Sequence, residues 1–403
     1  MLKVFSSFSK ALILDRSNIR FALGVWLGLS FSIAVILSTV GIMDGFITSL
    51  KSGLKLSNGD ITFSSRAGFF ELGPLTKKGM KELGVASFSP LIESQAFVVA
   101  NESSKGIVIR GVEGQSYSQV TGQEILPERE SIIVGPELAK VLSIKVGDEV
   151  VLVMAQGNRQ LDGLPLLKKF KVQGLIEHGI YQKDLRFVYM DQKELSEMLG
   201  TKGKVNMVSL NIGQDANQNL TDEQREQAVE EMVYDLEDLL GIDYRIKPYW
   251  EDYRSMLEAV EIEKLTISLI LQIIVIISIF NVLSFVTFLN EKQSQQIFLF
   301  QALGLSTQSL RRTWLSMVCF LWAFSCAFSL VFVWLFNWML SELSILSLPG
   351  DVYHMGRLQL SLDLSDYMIV FGTTLFWMIL IIAFALYRLN KRSILYGLRK
   401  EFS

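Results

Sequence analysis

The sequence predicts a membrane-embedded α-helical protein with four transmembrane helices, one before and three after a large external α+β domain. The first observation is that four long apolar runs interrupt a chain of 403 residues in which 20% of the residues are charged and 50% are hydrophobic. The second is that basic residues gather on one side of those runs. Such a mixture is typical of membrane spans joined to an ordinary water-exposed domain.

Each of the four runs is long enough to cross about 30 Å of hydrocarbon at about 1.5 Å per residue. They cover residues 21–43, 265–289, 313–340 and 367–387. Because backbone polar groups cannot stay unpaired in lipid, we expect each run to be a helix. A cleaved signal peptide is the alternative for the first run. It is less favoured because the run is too long for a signal-peptide core and no A-x-A site follows promptly.

The basic residues beside the runs predict the orientation of the chain. They precede the first run, lie between the second and third, and follow the fourth: Lys3, Lys10, Arg16, Arg20, Lys292, Arg311, Arg312, Arg388, Lys391, Arg392, Arg399 and Lys400. Since cytoplasmic loops carry the excess of lysine and arginine, both termini are expected in the cytoplasm. The predicted division is a cytoplasmic segment 1–20, a span 21–43, an external domain 44–264, a span 265–289, a cytoplasmic loop 290–312, a span 313–340, an external loop 341–366, a span 367–387 and a cytoplasmic tail 388–403.

The external domain alternates short strand-like segments with turn residues. The nine predicted strands are GDITFSS, SQAFVVA, KGIVIRGV, SIIVG, DEVVLVM, KFKVQGLI, RFVYM, NMVSLNI and DYRIKPY. Within it, PELAKVLSIKVGDEV predicts a short helix, a turn at Gly147 and Asp148, and a strand. A longer helix is expected from Asp222 to Leu240, followed by Gly241 at the position that favours positive φ. These patterns indicate an α+β domain with two lobes.

Two segments next to the second span have more than one interpretation. YWEDYRSMLEAVEIEKLTISL looks helical without a break into the span, so it is either a stalk that carries movement or a juxtamembrane helix that ends the domain. In the cytoplasmic loop, Ile297, Phe298, Phe300 and Leu303 form an apolar patch before Gly304. That patch fits an interfacial helix on lipid headgroups or a plug that docks into a cytoplasmic partner.

Motifs for catalysis are missing from the sequence. It contains no G-x-x-x-x-G-K-[ST], H-E-x-x-H, G-x-S-x-G or C-x-x-C. Its histidines, His178 and His354, fall in predicted loops, where we expect isolated surface side chains, and Cys319 and Cys326 lie inside an apolar run. We therefore expect no catalytic residue, no metal site and no cofactor bound by this chain. The net charge of −3 does not indicate a nucleic-acid partner.

Several motifs resemble one known family. WEDYRSMLEAVEIEKLTISLILQIIVIISIFNVLSFVTFLNEKQSQQIFLFQALGLS is similar to its pattern of a Trp-initiated stalk, an A-x-x-x-E-K step, an F-N-x-x-S and an apolar helix ending in glycine. IMDGF, LPGDVYHM and SIIVGPELAKVLSIKVGDEV are similar to further motifs, in the family's order. The chain thus resembles, nearly end to end, the lipoprotein-releasing (Lol) transmembrane subunits, which are ABC transporter permeases of the mechanotransmission class.

The resemblance implies a multi-pass protein of the bacterial inner membrane with a periplasmic domain. A cytoplasmic ABC ATPase would bind ATP-Mg and contact the coupling residues Ile297, Phe298, Phe300, Leu303 and Gly304. A stalk marked by Trp250, Ala259, Glu263 and Lys264 would pass the motion outward. The other implied partners are a second permease, either the same chain or a paralogue, a triacylated lipoprotein substrate and a periplasmic lipoprotein carrier.

Residues 157–170, GNRQLDGLPLLKKF, resemble the protruding hairpin with which one permease type catches the carrier. The carrier-binding residues would be Leu164, Pro165, Leu166 and Leu167. An ordinary hairpin loop is the other interpretation, and the sequence does not separate the two.

Three other functions compete with lipoprotein release. A cell-division permease drives cell-wall hydrolases without transport, but its external domain is usually much smaller than the roughly 220 residues between the first two runs. A macrolide-exporter-like pump would carry a fused ATPase domain, which these 403 residues do not contain. A membrane-anchored receptor or scaffold would need no ATPase and is disfavoured by the apolar patch of the cytoplasmic loop.

Overall fold

A computed structural model describes residues 16–154, 165–213, 222–295, 297, 306–342 and 360–389. The chain forms two compact units. The helical unit comprises the described parts of Met1–Phe46, Glu258–Leu346 and Leu358–Ser403, and the sheet unit comprises those of Ile47–Leu257. The two boundaries between the units that lie within the described residues fall inside long helices, so two helices belong in part to each unit.

The described residues form helices and strands in an order close to the predicted one. The helices are α1 Arg16–Asn58, α2 Pro74–Glu82, α3 Gly114–Thr121, α4 Pro136–Leu142, α5 Tyr181–Arg186, α6 Gln192–Leu199, α7 Asp222–Leu240, α8 Arg254–Lys292, α9 Thr307–Glu342 and α10 Leu364–Leu389. The strands are β1 Ile61–Ser65, β2 Ser87–Ala100, β3 Ser103–Val112, β4 Ser131–Val134, β5 Glu149–Met154, β6 Leu166–Leu175, β7 Phe187–Asp191, β8 Met207–Asn211 and β9 Tyr244–Pro248. A 3₁₀ turn, Glu251–Tyr253, leads into α8.

Helices α1, α8, α9 and α10 are long and apolar enough to cross a membrane. Each contains one of the predicted spans and extends beyond it. The largest extension is in α1, which continues to Asn58. There Leu50 and Leu54 recur at helical spacing and are fully buried, so the end of α1 is an amphipathic helix of the sheet unit.

The strands of the sheet unit form one sheet in the order β3-β7-β4-β6-β5-β2-β8-β1-β9. Because β2 also pairs with β3, the six strands β2, β3, β7, β4, β6 and β5 close into a ring. The long strand β2 then continues into the extension β8-β1-β9 through its pairing with β8. Apolar side chains fill the ring, among them Val98, Ile109, Val134, Leu152 and Phe170.

The nine strand-like segments of the sequence each overlap one strand, whereas the short helices α2, α3, α5 and α6 were not predicted. These helices have six to nine residues, too few to show a clear helical period. The predicted helix-turn-strand segment is α4, Gly147 with φ +101° and β5. Gly135, just before α4, lies so close to Asp184 that a Cβ there would be 2.0 Å from the Asp184 carbonyl oxygen.

Candidate functional site

Helix α1 ends, and helix α8 begins, at one place in the sheet unit, which we call the helix root (residues 57–65 and 244–253). Strand β1 directly follows α1, and β9 directly precedes the turn that begins α8. The two strands pair antiparallel from Ile61↔Pro248 to Ser65↔Tyr244. The backbone hydrogen bonds of this strand pair therefore join the end of α1 to the start of α8.

The last turn of α1 is held by buried donors. The Ser57 carbonyl oxygen accepts hydrogen bonds from Arg110 Nη1 and from the Tyr117 hydroxyl, each at 2.6 Å. The Ser57 hydroxyl oxygen accepts a hydrogen bond from Lys183 Nζ. A helix C-terminus leaves carbonyl groups without intrahelical partners and carries a partial negative charge, so cations and hydroxyl donors stabilise it.

Arg110 is the centre of this cluster. Its side chain is buried, forms an ion pair of 2.8 Å with Glu93 and lies 4.3 Å from the centre of the Phe187 ring. Burial opposes its charged form, but Tyr117 and Glu93 outweigh that effect and hold its pKa above the usual value. Arg110 is therefore a permanently charged group that fixes the end of α1.

The first residues after α1 are fixed by a second buried group. The carboxylate of Asp60 is fully buried and accepts hydrogen bonds from the Ile212 backbone N–H at 3.1 Å and from Arg225 at 3.3 Å. Lys55, one turn earlier on α1, lies 3.3 Å from the same carboxylate. The Asp60 carbonyl oxygen accepts a hydrogen bond of 3.0 Å from the Tyr249 backbone N–H, which ties it to the segment before α8.

The predicted stalk residues occupy the start of α8. Trp250 is buried, packs edge-on against Tyr249 with 4.7 Å between ring centres, and accepts a 2.9 Å hydrogen bond from the Tyr253 N–H. Ala259 and Glu263 are exposed. Lys264 Nζ lies 2.5 Å from Asp44 Oδ1 on α1, in the helical unit. Asp44 was not predicted as a site residue, although it belongs to the IMDGF segment that carries the resemblance.

Helices α1 and α8 remain in contact through the helical unit. Beyond the Lys264–Asp44 ion pair, the Ser32 and Ser278 hydroxyl oxygens lie 2.6 Å apart, and the Phe21 ring lies 5.4 Å from that of Phe285. Higher residue numbers on α1 contact lower residue numbers on α8, so the two helices are antiparallel. From residue 21 to residue 44 the contacts cover about 35 Å of helix, close to the thickness of a bilayer core.

Two family models match this chain. The MacB-like periplasmic core domain matches residues 23–232, slightly more than half of the 403 residues, and the FtsX-like permease C-terminal domain matches residues 268–394. This chain belongs to the MacB/FtsX-like permease family. Together with the relatives described next, these matches confirm the expected resemblance to the lipoprotein-releasing permeases.

Relatives of this permease include two proteins named lipoprotein-releasing system transmembrane protein LolC. The one from Xylella fastidiosa strain Temecula1 is 22% identical over 364 residues, which is 85% of each chain. The one from Neisseria meningitidis serogroup B is 22% identical over 301 residues, covering 69% of this chain and 68% of that protein.

Similar solved structures include two external domains. The periplasmic region of MacB from Actinobacillus actinomycetemcomitans has a TM-score of 0.30 at 15% identity, covering 49% of this chain and 92% of that chain. The extracellular domain of the transporter YknZ from Gram-positive bacteria has a TM-score of 0.27 at 16% identity, covering 47% of this chain and all of that chain.

Of the coupling residues predicted for this permease, Ile297 is described. Its side chain is buried in the apolar core of the helical unit, and its backbone N–H donates a 3.0 Å hydrogen bond to the Gln293 carbonyl oxygen. Phe298, Phe300, Leu303 and Gly304 lie outside the described residues.

The residues predicted to bind a carrier lie where β6 begins. Strands β5 and β6 pair as far as Met154↔Leu166, and the segment that joins them, including Leu164, lies outside the described residues. Pro165 is exposed, and Leu166 packs against the core of the strand ring. Leu167 has 63% of its surface exposed. The strand begins three residues earlier than predicted.

The expectation for His178 was wrong. Rather than lying on the surface, its ring is fully buried, with Nδ1 2.8 Å from Asp184 Oδ1 and Nε2 2.8 Å from the Tyr189 hydroxyl oxygen. Burial lowers its pKa below the usual value, against the opposing effect of Asp184. The partners are 6 and 11 residues away along the chain, so no local motif shows them. His354 lies outside the described residues.

Across the part of the permease that the structure describes, no group of three or more His, Cys, Asp or Glu side chains could hold a metal ion. The main polar groups in and around the helix root, Ser57, Asp60, Arg110 and Lys183, were not identified from the sequence. Asp60 and Arg110 stand alone in predicted strands, and Ser57 and Lys183 lie in segments for which no element was predicted.

Proposed function

We propose that this chain is the permease subunit of an ABC transporter that releases lipoproteins from the outer leaflet of the inner membrane. A partner ATPase would supply the energy, and a periplasmic carrier would receive the lipoprotein. The permease assignment rests on the two matching family models. The substrate assignment rests on relatives whose names include lipoprotein release and which cover most of the chain.

The proposed topology has α1 as one span before the periplasmic unit and α8, α9 and α10 as three spans after it. Both termini and the loop 290–312 would face the cytoplasm. The supporting observation is the clustering of lysine and arginine beside the cytoplasmic ends of the four spans.

The observation that carries the proposed mechanism is the antiparallel pair of α1 and α8. These helices are joined by β1–β9 pairing at the helix root and by the Lys264–Asp44 ion pair in the helical unit. A helix that is hydrogen-bonded throughout moves as a stiff rod, so displacement of α8 at its cytoplasmic end would be carried along the pair. In this scheme Trp250, Ala259, Glu263 and Lys264 mark the stalk.

The proposed input to this pair is the coupling loop. Ile297, buried in the core of the helical unit, would anchor the loop, while Phe298, Phe300 and Leu303, before Gly304, dock into the ATPase. ATP-Mg would bind to that partner and not to this chain. A second permease, the same chain or a paralogue, would complete the membrane part of the complex.

The proposed output is transfer to the carrier. The hairpin formed by β5 and β6 would present Leu164, Pro165, Leu166 and Leu167, of which Pro165 and Leu167 are exposed. An exposed leucine on a strand end offers apolar surface to a partner at little cost to the core.

The test uses the full complex, purified with its ATPase and reconstituted in proteoliposomes with an acylated lipoprotein. Phe298→Asp places a charge in the docking surface and should abolish ATP-dependent release, whereas the apolar control Phe298→Leu should keep most of it. Normal release by Phe298→Asp, with normal membrane insertion, would contradict the coupling assignment.

A second pair of variants tests transmission. Asp44→Lys and Lys264→Asp each place like charges together and should slow release, and the double variant restores an opposite pair and should recover it. Full activity of both single variants would remove the ion pair from the mechanism.

The same complex separates lipoprotein release from the cell-division alternative. If the purified complex contains cell-wall hydrolases and no lipoprotein, and ATP drives hydrolase activation, the permease transmits motion without transport. Recovery of acylated lipoproteins together with ATP-dependent release supports the proposal.

A further inference from the structure

The sheet unit contains a cavity whose lining is strongly basic. Its volume is about 510 Å³, which lies within the range of roughly 300–1,000 Å³ of small-molecule sites. Five basic side chains line it: Arg110, Lys183, Arg186, Arg245 and Lys247. Two acidic side chains, Glu93 and Asp252, face them. Basic side chains in the lining therefore outnumber acidic ones by three.

The two acidic groups are already occupied. Glu93 forms its ion pair with Arg110, and Asp252 forms one with Lys247. Within the described residues, the side chains of Arg186 and Arg245 make no hydrogen bond or ion pair, and both residues are exposed. Two guanidinium groups with free donors thus face one cavity, at its solvent-exposed side.

The buried side of the cavity also lacks a counter-charge. Lys183 is buried, and its hydrogen-bond partner, the Ser57 hydroxyl, is neutral. Burial lowers its pKa well below the usual value, and the neighbouring Arg110 adds to this effect. A bound anion would relieve both effects by placing a negative charge beside the ammonium group.

Uncharged polar groups complete the lining. Thr62 and Ser64 also line the cavity, and the hydroxyl group of each can donate a hydrogen bond. The buried side-chain oxygen of Asn58 has no partner among the described residues, and its amide, turned by half a rotation, would present N–H donors instead. Guanidinium forks, an ammonium group and hydroxyl donors together suit the several oxygens of a phosphate group.

We propose that this cavity binds a phosphate group, either as inorganic phosphate or as the headgroup of an anionic phospholipid. The site is distinct from the coupling loop and from the carrier hairpin, and it lies at the helix root, where Asn58, Ser64 and Lys247 line it. It is a ligand site of the sheet unit, and its occupation does not depend on which substrate the transporter moves.

The test measures binding to the full chain, purified in an uncharged maltoside detergent, by isothermal titration calorimetry. The probes are inorganic phosphate and dihexanoyl-phosphatidylglycerol below its micellar concentration. Acetate is the control anion, because it carries a carboxylate and no phosphate group. Arg186→Gln and Arg245→Gln each remove an exposed charge from the cavity without disturbing the buried cluster. The matched control is Arg66→Gln, which removes an exposed arginine that does not line the cavity.

We expect each cavity variant to weaken phosphate binding by about tenfold or more, because each loses a charge-assisted hydrogen bond, and the control to bind as the wild type does. Binding of the short-chain lipid alone identifies a headgroup site, and binding of inorganic phosphate alone identifies a soluble ligand; both support the proposal. It is overturned if neither probe binds, if Arg245→Gln and Arg66→Gln bind equally well, or if acetate binds as tightly as phosphate.

Discussion

Helix α1 is packed differently in its two halves. Up to Phe46, in the helical unit, Leu29, Ile33 and Leu37 are buried against other apolar side chains. Beyond Phe46, in the sheet unit, the last turn is surrounded by Arg110, Tyr117 and Lys183. Apolar packing tolerates sliding and repacking, whereas a cluster of directed hydrogen bonds to one carbonyl group fixes position. The end of α1 at the helix root is thus specified more strictly than its membrane half.

The largest expected effect comes from removing the central cation of the polar half. Arg110→Met removes hydrogen bonds to the half-buried Glu93, to the buried Tyr117 hydroxyl and to the buried Ser57 carbonyl oxygen. Because each hydrogen bond to a charged group contributes about 1.5–3 kcal/mol, the total loss should exceed about 3 kcal/mol. Hydrogen exchange of the sheet-unit amides in the full chain measures the loss of opening free energy. Arg129→Met, which removes an exposed ion pair with Glu197, is the control and should cost at most about 1 kcal/mol. Equal effects would show that the cluster does not fix α1.

Two glycines of α1 should respond oppositely to the same substitution. A Cβ at Gly53 would lie 2.5 Å from the His178 carbonyl oxygen and 2.7 Å from Ile180 Cγ1, so Gly53→Ala should destabilise the sheet unit by about 1–3 kcal/mol. A Cβ at Gly28 meets no atom of the described residues within 4 Å. Gly28→Ala should therefore be neutral or stabilising by up to about 1 kcal/mol. Thermal unfolding in detergent together with hydrogen exchange measures both, and a destabilising Gly28→Ala would contradict the comparison.

The polar half should also lose stability in mild acid. Burial depresses the pKa of His178 in the folded state, so the unfolded state binds the proton more readily. The histidine's contribution is complete above about pH 6.5 and is lost as the pH falls through the folded pKa, at about 1.4 kcal/mol for each unit of depression. Hydrogen exchange at pH 5.0 and 7.5, corrected for intrinsic rates, measures the opening free energy of the sheet unit at each pH. The difference between the two opening free energies should be smaller in His178→Gln than in the wild type. An unchanged difference would assign the pH dependence to other groups.

The smallest effect is expected from the membrane half. Ser32→Ala removes the hydrogen bond between Ser32 and Ser278, and such bonds between membrane helices average about 0.6 kcal/mol. Thermal unfolding in detergent should shift little. A loss as large as that of Arg110→Met would mean that the two halves are fixed by similar means.

The membrane half of α1 could be predicted from the sequence, whereas the polar contacts at its other end could not. Uncharged runs of 20 or more residues report directly on their lipid or core environment, so α1 and α8 could be placed from composition. The burial of Arg110 depends on Ser57 and Glu93, which are 53 and 17 residues away in the chain. No pattern in KGIVIRGV distinguishes an inward arginine from a solvated one. His178 was misread for the same reason, because its partners meet it through the fold.

In one case the resemblance of motifs to a known family located site residues that hydrophobic periodicity did not indicate. IMDGF and the A-x-x-x-E-K step were noticed separately, and the structure joins them through Asp44 and Lys264. Acidic and basic residues 220 positions apart cannot be paired from a single sequence by spacing. The two motifs could be recognised in the sequence, but the ion pair between them could not.

The closed ring of strands limits the unpaired sheet edge through which this protein could aggregate. Six strands leave no unpaired edge within the ring, and among the described strands the extension ends at β9, which pairs on one side with β1. That edge is five residues long and carries Arg245, Lys247 and a terminal Pro248. Charged, short, proline-ended edges resist pairing with strands of other molecules. The sheet unit is therefore protected against edge-to-edge aggregation with other molecules of the same kind.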